Sequence, residues 1–141
     1  MEYVAGLMFS SDHSRLAMVV KNRPKWQEGL FNVVGGKIEE GEGPITAMSR
    51  EFLEETGVAT EPAEWNFVTK LHGDWGTVWF YRMSDDRVFQ VQTMEDELIQ
   101  LVNPRQLPQN IIGNLRWIIP LALDHQVEIP TSFHYATGES K

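Results

Sequence analysis

Residues 44–57, reading PITAMSREFLEETG, constrain the fold more than any other stretch of the chain. Pro44 suits the first turn of a helix and Gly57 suits its left-handed C-terminal cap. Between them Ile45, Met48 and Phe52 recur at helical spacing and form one apolar stripe. At 100° per residue, Glu51, Glu54 and Glu55 share one arc, roughly a quarter-turn from that stripe. The helix must therefore dock on a core through one face while another face holds three anions toward a cleft. Ala47, one turn earlier on the carboxylate side, is expected to leave room there for a ligand.

Three carboxylates so placed repel one another by about 3 kcal/mol per pair at roughly 6 Å and an effective dielectric of about 20. A hard divalent cation such as Mg²⁺ or Mn²⁺ takes oxygen ligands, tolerates several waters and would offset that repulsion. A solvated acidic helix face is the competing explanation, and for a Glu triplet alone it is the commoner one. The wider pattern decides against it. Gly36, Glu42, Arg50, Glu51, Phe52, Glu54, Glu55, Gly57 and Val58 stand at the spacing G-x5-E-x7-R-E-U-x-E-E-x-G-U, with U a bulky apolar residue. With ordinary residue frequencies, chance supplies such a match in a chain of this length with a probability below about 10⁻⁷.

This pattern is a complete Nudix box, and the chain resembles the Nudix hydrolase family. The resemblance implies an α/β fold, an α/β/α sandwich with a mixed β-sheet, whose loop, helix and loop bind metal and diphosphate. It implies Glu51, Glu54 and Glu55 as catalytic and metal-ligating residues, with the carbonyl of Gly36 as a further ligand and Mg²⁺ or Mn²⁺ as cofactor. Arg50 and Glu42 would pair to hold the loop against the helix, and Lys37 would reach a phosphate.

Outside the box, Tyr3 to Phe9 and Leu16 to Val20 predict a hairpin about the polar turn at residues 10–14. A short strand is expected from Phe31 to Val34, broken by Gly35-Gly36. Trp65 to Leu71, Thr77 to Met83, Arg87 to Val91 and Leu98 to Val102 predict further strands, and Asn110 to Asp124 a second helix disturbed by Pro120. The tail from Val127 is expected to be irregular or to add a strand. Residues 1–141 read as a single domain, with no repeat or linker.

Twenty acidic against twelve basic residues, a net charge of −8, disfavour adhesion to long nucleic acid but not binding of a small polyphosphate through cations. The absence of Cys, of a basic leader and of a bilayer-length apolar run suggests a cytoplasmic protein without signal peptide or membrane contact. A monomer or homodimer is expected, and nothing in the sequence chooses between them.

Diphosphate hydrolysis needs a base for the attacking water, which the family takes from the box or from a later loop. Glu95-Asp96-Glu97 is the later source here, with Glu97 and Glu95 placed ahead of Asp96 by the resemblance, and His72 is a weaker candidate. For substrate binding, Phe31-Asn32-Val33-Val34-Gly35-Gly36-Lys37 and Asn114-Leu115-Arg116-Trp117-Ile118-Ile119-Pro120-Leu121 resemble segments of the MutT-like nucleoside triphosphate pyrophosphohydrolases. That resemblance implies a base near Asn32, with Asn114 and an aromatic wall from Trp117. The pattern departs from theirs at Gly113 and Asn114, where acidic base-reading residues can stand. The expected activity is hydrolysis of a nucleoside triphosphate, an oxidised purine nucleotide included, to monophosphate and pyrophosphate. A nucleotide sugar, pterin triphosphate or dinucleoside polyphosphate hydrolase, or a non-catalytic nucleotide-binding module, stays open.

Overall fold

Strand β1 (Glu2–Phe9) decides the layering, because residues of both its faces are buried. Val4 and Met8 point to one side, while Ala5, Leu7 and Phe9 point to the other. A strand apolar on both faces needs cover on both. In the computed structural model, which describes residues 1–136, β1 lies near the middle of a seven-stranded sheet with one helix on each face.

The other strands are β2 (Leu16–Val20), β3 (Phe31–Lys37), β4 (Asn66–Gly73), β5 (Gly76–Ser84), β6 (Leu98–Val102) and β7 (Ser132–His134), in the order β6-β2-β3-β1-β5-β4-β7. β1 runs antiparallel to β3 and parallel to β5, which makes the sheet mixed. Helix α1 (Pro44–Thr56) buries Met48 and Phe52 on the face that carries Val4, Val19 and Val34. Helix α2 (Leu115–Leu123) buries Leu115, Ile118 and Ile119 on the opposite face, against Leu7, Met18 and Val33. This is the expected α/β sandwich. Among the described residues no helix is long and apolar enough to cross a membrane.

Several local expectations change. β1 and β2 meet only at Phe9↔Leu16, and β3 then enters between them, so they do not form a hairpin ladder. β3 continues through Gly35 and Gly36, which pair with Ala5 and Val4. Backbone pairing with a central strand outweighs the weak strand preference of glycine. Residues 86–90 form a 3₁₀ turn rather than a strand: Asp85 accepts the Arg87 N–H at 2.8 Å and binds its guanidinium, which tightens the chain. α2 begins at Leu115, later than expected, because residues 110–112 are held by β3 through Phe31 N–H to Asn110 O and Ile112 N–H to Phe31 O. Pro120 sits inside α2 on an exposed position. The expected tail strand is β7, parallel to β4, while residues 137–141 lie outside the described residues.

α1 starts and stops where its sequence says it should. Pro44 opens it, and Gly57 at φ +78° closes it by donating to Leu53 O at 2.9 Å. A Cβ in this left-handed region costs about 1 kcal/mol, and here it would also press on Met94 Sδ at 3.1 Å. Gly57→Ala is predicted to lower unfolding free energy in urea by about 1–2 kcal/mol. Gly113→Ala, where an added Cβ meets nothing within 4 Å, should change it by less than about 0.5 kcal/mol.

Candidate active site

The site is built where α1 crosses the end of β3. Gly36 lies directly under Glu51, so that a Cβ there would overlap the Glu51 carboxylate. The glycine allows a carboxylate to rest on the backbone of the sheet. Ala47 is fully buried in the α1 core cluster, so it serves helix packing and does not open a ligand space as expected.

Arg50 is the hub. Its Nε donates to Glu42 Oε2 at 2.7 Å and its Nη2 to Glu42 Oε1 at 2.9 Å, a two-pronged pair that fastens the loop after β3 to the helix. Nη2 also donates to the carbonyl of Lys37 at 3.1 Å, and Nη1 reaches Glu51 at 3.0 Å and Glu54 at 3.3 Å. The guanidinium holds the Glu42 carboxyl below its usual range. The expected pairing of Arg50 with Glu42 is thus present, and the same guanidinium also orients the two neighbouring glutamates.

Glu51 and Glu55 are partly buried side by side. Burial pushes Glu55 up to about 8, with the charge of Glu51 adding to the rise, Lys21 opposing it and Glu95 contributing. Burial also raises Glu51, against the pull of Arg50. The two carboxyls compete for one proton. Glu54 is more exposed and turns toward Arg50. Among the described residues no three acidic or histidine side chains gather into a ready-made metal cage. A magnesium-like ion does not require one, since it keeps several waters and binds through one or two carboxylates plus substrate oxygens. The cradle at Gly36 and the pair of hard oxygen donors fit such an ion.

The later acidic segment divides. Gln92 N–H donates to Thr56 O at 2.9 Å and Met94 N–H to Glu55 O at 3.3 Å, which pins residues 92–94 to the end of α1 and brings Glu95 within electrostatic reach of Glu55. Glu97 is committed elsewhere: it pairs with Lys21 Nζ at 3.0 Å and accepts the N–H groups of Asn22 at 2.6 Å and Arg23 at 3.2 Å. Although burial pushes Glu97 up, these donors hold it below the usual range. Asp96 grips Arg23 at 2.8 Å. His72 Nδ1 lies 2.8 Å from Thr77 Oγ1 and its ring stacks on His134, at the β4–β7 edge of the sheet.

The residues expected to bind substrate do not converge. Asn32 pairs with Val19, on the α1 face. Trp117 stands on α2, packed edge-on against Phe133 of β7 at 5.0 Å, on the opposite face. β7 lies four strand spacings from β3, about 19 Å along the sheet, so Trp117 forms no wall beside Asn32. Asn114 caps α2 on that far face, and its carbonyl accepts from Ile118 at 3.1 Å. Lys37 is exposed at the end of β3, beside the box loop. Lys21, which the sequence reading passed over, stands near Glu55; the alternation of Ala17 and Val19 on the α1 face places it there.

A sequence model of the NUDIX domain matches residues 2–122. The curated methanol dehydrogenase activator of Bacillus methanolicus is 33% identical over 55 residues, which cover 39% of this chain and only 30% of that protein. Among solved structures, MutT NUDIX hydrolase from Burkholderia pseudomallei superposes with a TM-score of 0.68 at 19% identity, covering 86% of this chain and 98% of that one. A MutT structure from work on Aliivibrio salmonicida and Vibrio cholerae gives 0.64 at 24% identity, covering 84% and 95%. The MutT protein from Bacillus halodurans gives 0.66 at 18%, covering 95% and 89%. At these identities the structural likeness speaks for the fold.

The raised Glu55 carboxyl has a stability consequence. Below about pH 4.5 the folded and unfolded chains both carry its proton; as pH rises toward about 8 the unfolded chain ionises first, and stability is lost through that window. Thermal melts in chelator are predicted to show stability falling from about pH 5 to pH 8, with a clearly shallower fall in Glu55→Gln. Parallel curves for the two proteins would remove Glu55 as the cause.

Proposed function

The chain belongs to the Nudix hydrolase family, and from that membership we propose that it hydrolyses a nucleoside triphosphate to the monophosphate and pyrophosphate with Mg²⁺ or Mn²⁺. The observation that carries this reading is the partly buried Glu51–Glu55 pair beside Gly36, two hard donors held so close that ionising both is disfavoured. The Arg50–Glu42 clamp supports it by fixing the loop that brings Gly36 and Lys37 to the same end of the helix.

In this reading Glu51, Glu54 and Glu55, with the Gly36 carbonyl, would hold the divalent ion. When bound, such an ion neutralises phosphate oxygens and acidifies the attacking water. Glu55, which burial and Glu51 push up to about 8, would ligate such an ion as the carboxylate. Glu95 is the better-placed base of the later segment, since it is exposed and near Glu55 while Glu97 is tied to Lys21. Lys37 at the mouth of the box offers an ammonium to the leaving pyrophosphate. Water adds to phosphorus, the bridging P–O bond breaks, and the proton passes to the carboxylate. The resemblance of residues 31–37 to the strand entering the box in MutT-like nucleoside triphosphate pyrophosphohydrolases supports the triphosphate class over other diphosphates.

Turnover of nucleoside triphosphates is predicted to require added Mg²⁺ or Mn²⁺ and to release pyrophosphate. Glu55→Gln is predicted to lower kcat by at least about 10²-fold with an unchanged circular dichroism spectrum. Full activity after exhaustive chelation, or wild-type turnover in folded Glu55→Gln, would contradict the mechanism. Release of a sugar phosphate or of two mononucleotides from other diphosphates, without triphosphate turnover, would move the substrate class.

A further inference from the structure

The loop from Lys21 to Leu30 displays a tryptophan that the fold does not use. Trp26 is 67% exposed, although an indole is among the most costly side chains to leave in water. Slackness does not explain the exposure. Glu97 takes Lys21 Nζ and the N–H groups of Asn22 and Arg23, and Asp96 holds the Arg23 guanidinium. Inside the loop, Lys21 N–H bonds Leu30 O at 2.9 Å, Gly29 N–H bonds Lys21 O at 2.8 Å and Leu30 N–H bonds Gln27 O at 2.8 Å. The backbone on either side of Trp26 is therefore held in place.

The loop that carries Trp26 borders the candidate active site. The loop springs from Lys21, whose charge acts on Glu55, and returns into Asn32 on the α1 face of β3. Asn32 is itself engaged within the chain: its Oδ1 accepts from Val33 N–H at 2.8 Å and its Nδ2 donates to Gln27 Oε1 at 3.2 Å. The Gln27 Nε2 has no hydrogen-bond partner among the described residues. Both N–H donors of the Gln27 amide are therefore free, against one on Asn32, and Asn32 orients that amide through its Oε1.

We propose that Trp26 and Gln27 form the nucleobase subsite of this site, the indole stacking on the base and the Gln27 amide meeting its edge, with Asn32 as a positioning residue behind Gln27. Every base has an aromatic face, so Trp26 supplies affinity for any nucleobase and Gln27 the preference among them. The inference rests on the nucleoside triphosphate reading above.

The test compares nucleoside triphosphates with ribose 5-triphosphate, which keeps the phosphate chain and lacks the base. In Trp26→Ala the KM for nucleoside triphosphates is predicted to rise about tenfold, and the preference over ribose 5-triphosphate to shrink by a similar factor. Trp26→Phe should recover most of that preference. Gln27→Ala should narrow the KM differences between bases. Quenching of protein fluorescence by a nucleoside triphosphate without metal should largely disappear in Trp26→Phe. A folded Trp26→Ala with unchanged preference, or equal losses on both substrates, overturns the subsite while leaving the triphosphate activity intact. A wild-type protein that turns over no nucleoside triphosphate overturns both.

Discussion

Two carboxylates that repel each other are held in partial burial against the backbone of a sheet, and most of the molecule near α1 follows from keeping them there. Glu51 can rest on β3 only because Gly36 has no side chain. Glu55, one turn on, is driven by burial and by Glu51 to retain a proton. Ionising both is unfavourable in the metal-free protein, since each charge would lose hydration without gaining a permanent cation. The arrangement is tolerable because the apolar stripe of α1 docks firmly: Met48 and Phe52 are fully buried between the helix and the sheet.

Arg50 organises what the carboxylates cannot organise themselves. One guanidinium binds Glu42, the Lys37 carbonyl, Glu51 and Glu54, so the loop after β3 and the helix behave as one unit. A planar fork with five donors suits this role and a lysine would not. On the other rim, Glu97 and Asp96 do for the Lys21–Leu30 loop what Glu42 does for the box loop. The same acidic run thus splits its work: Glu97 braces, and Glu95 stays exposed within electrostatic reach of Glu55.

The elements with clear local signals were legible in the sequence. α1 ran from Pro44 to Thr56 as its opening proline and closing glycine indicated, and β2 and β6 had their expected bounds. What failed depended on distant partners. Gly35-Gly36 read as a break because glycine is a poor strand former, but pairing with β1 decides the matter. The β1–β2 hairpin dissolved because β3, ten residues and a loop later, competes for the same edge. Asn32 and Trp117 were joined by resemblance alone. Strand alternation puts Asn32 on the α1 face, and only the fold shows that Trp117 reaches β7 on the other. The contribution of Lys21 could have been read from the same alternation, and that of Trp26 could not, since exposure is invisible in a sequence.

The account turns on Glu55 keeping a proton in the metal-free site and yielding it to a divalent ion. Calorimetric titration of the chelated protein with Mn²⁺ at pH 7, repeated in buffers of different ionisation enthalpy, measures that proton directly. The account predicts release of most of one proton per ion bound, falling toward zero near pH 9 and absent in Glu55→Gln. Binding at pH 7 without proton release, or with the same release in Glu55→Gln, would contradict it.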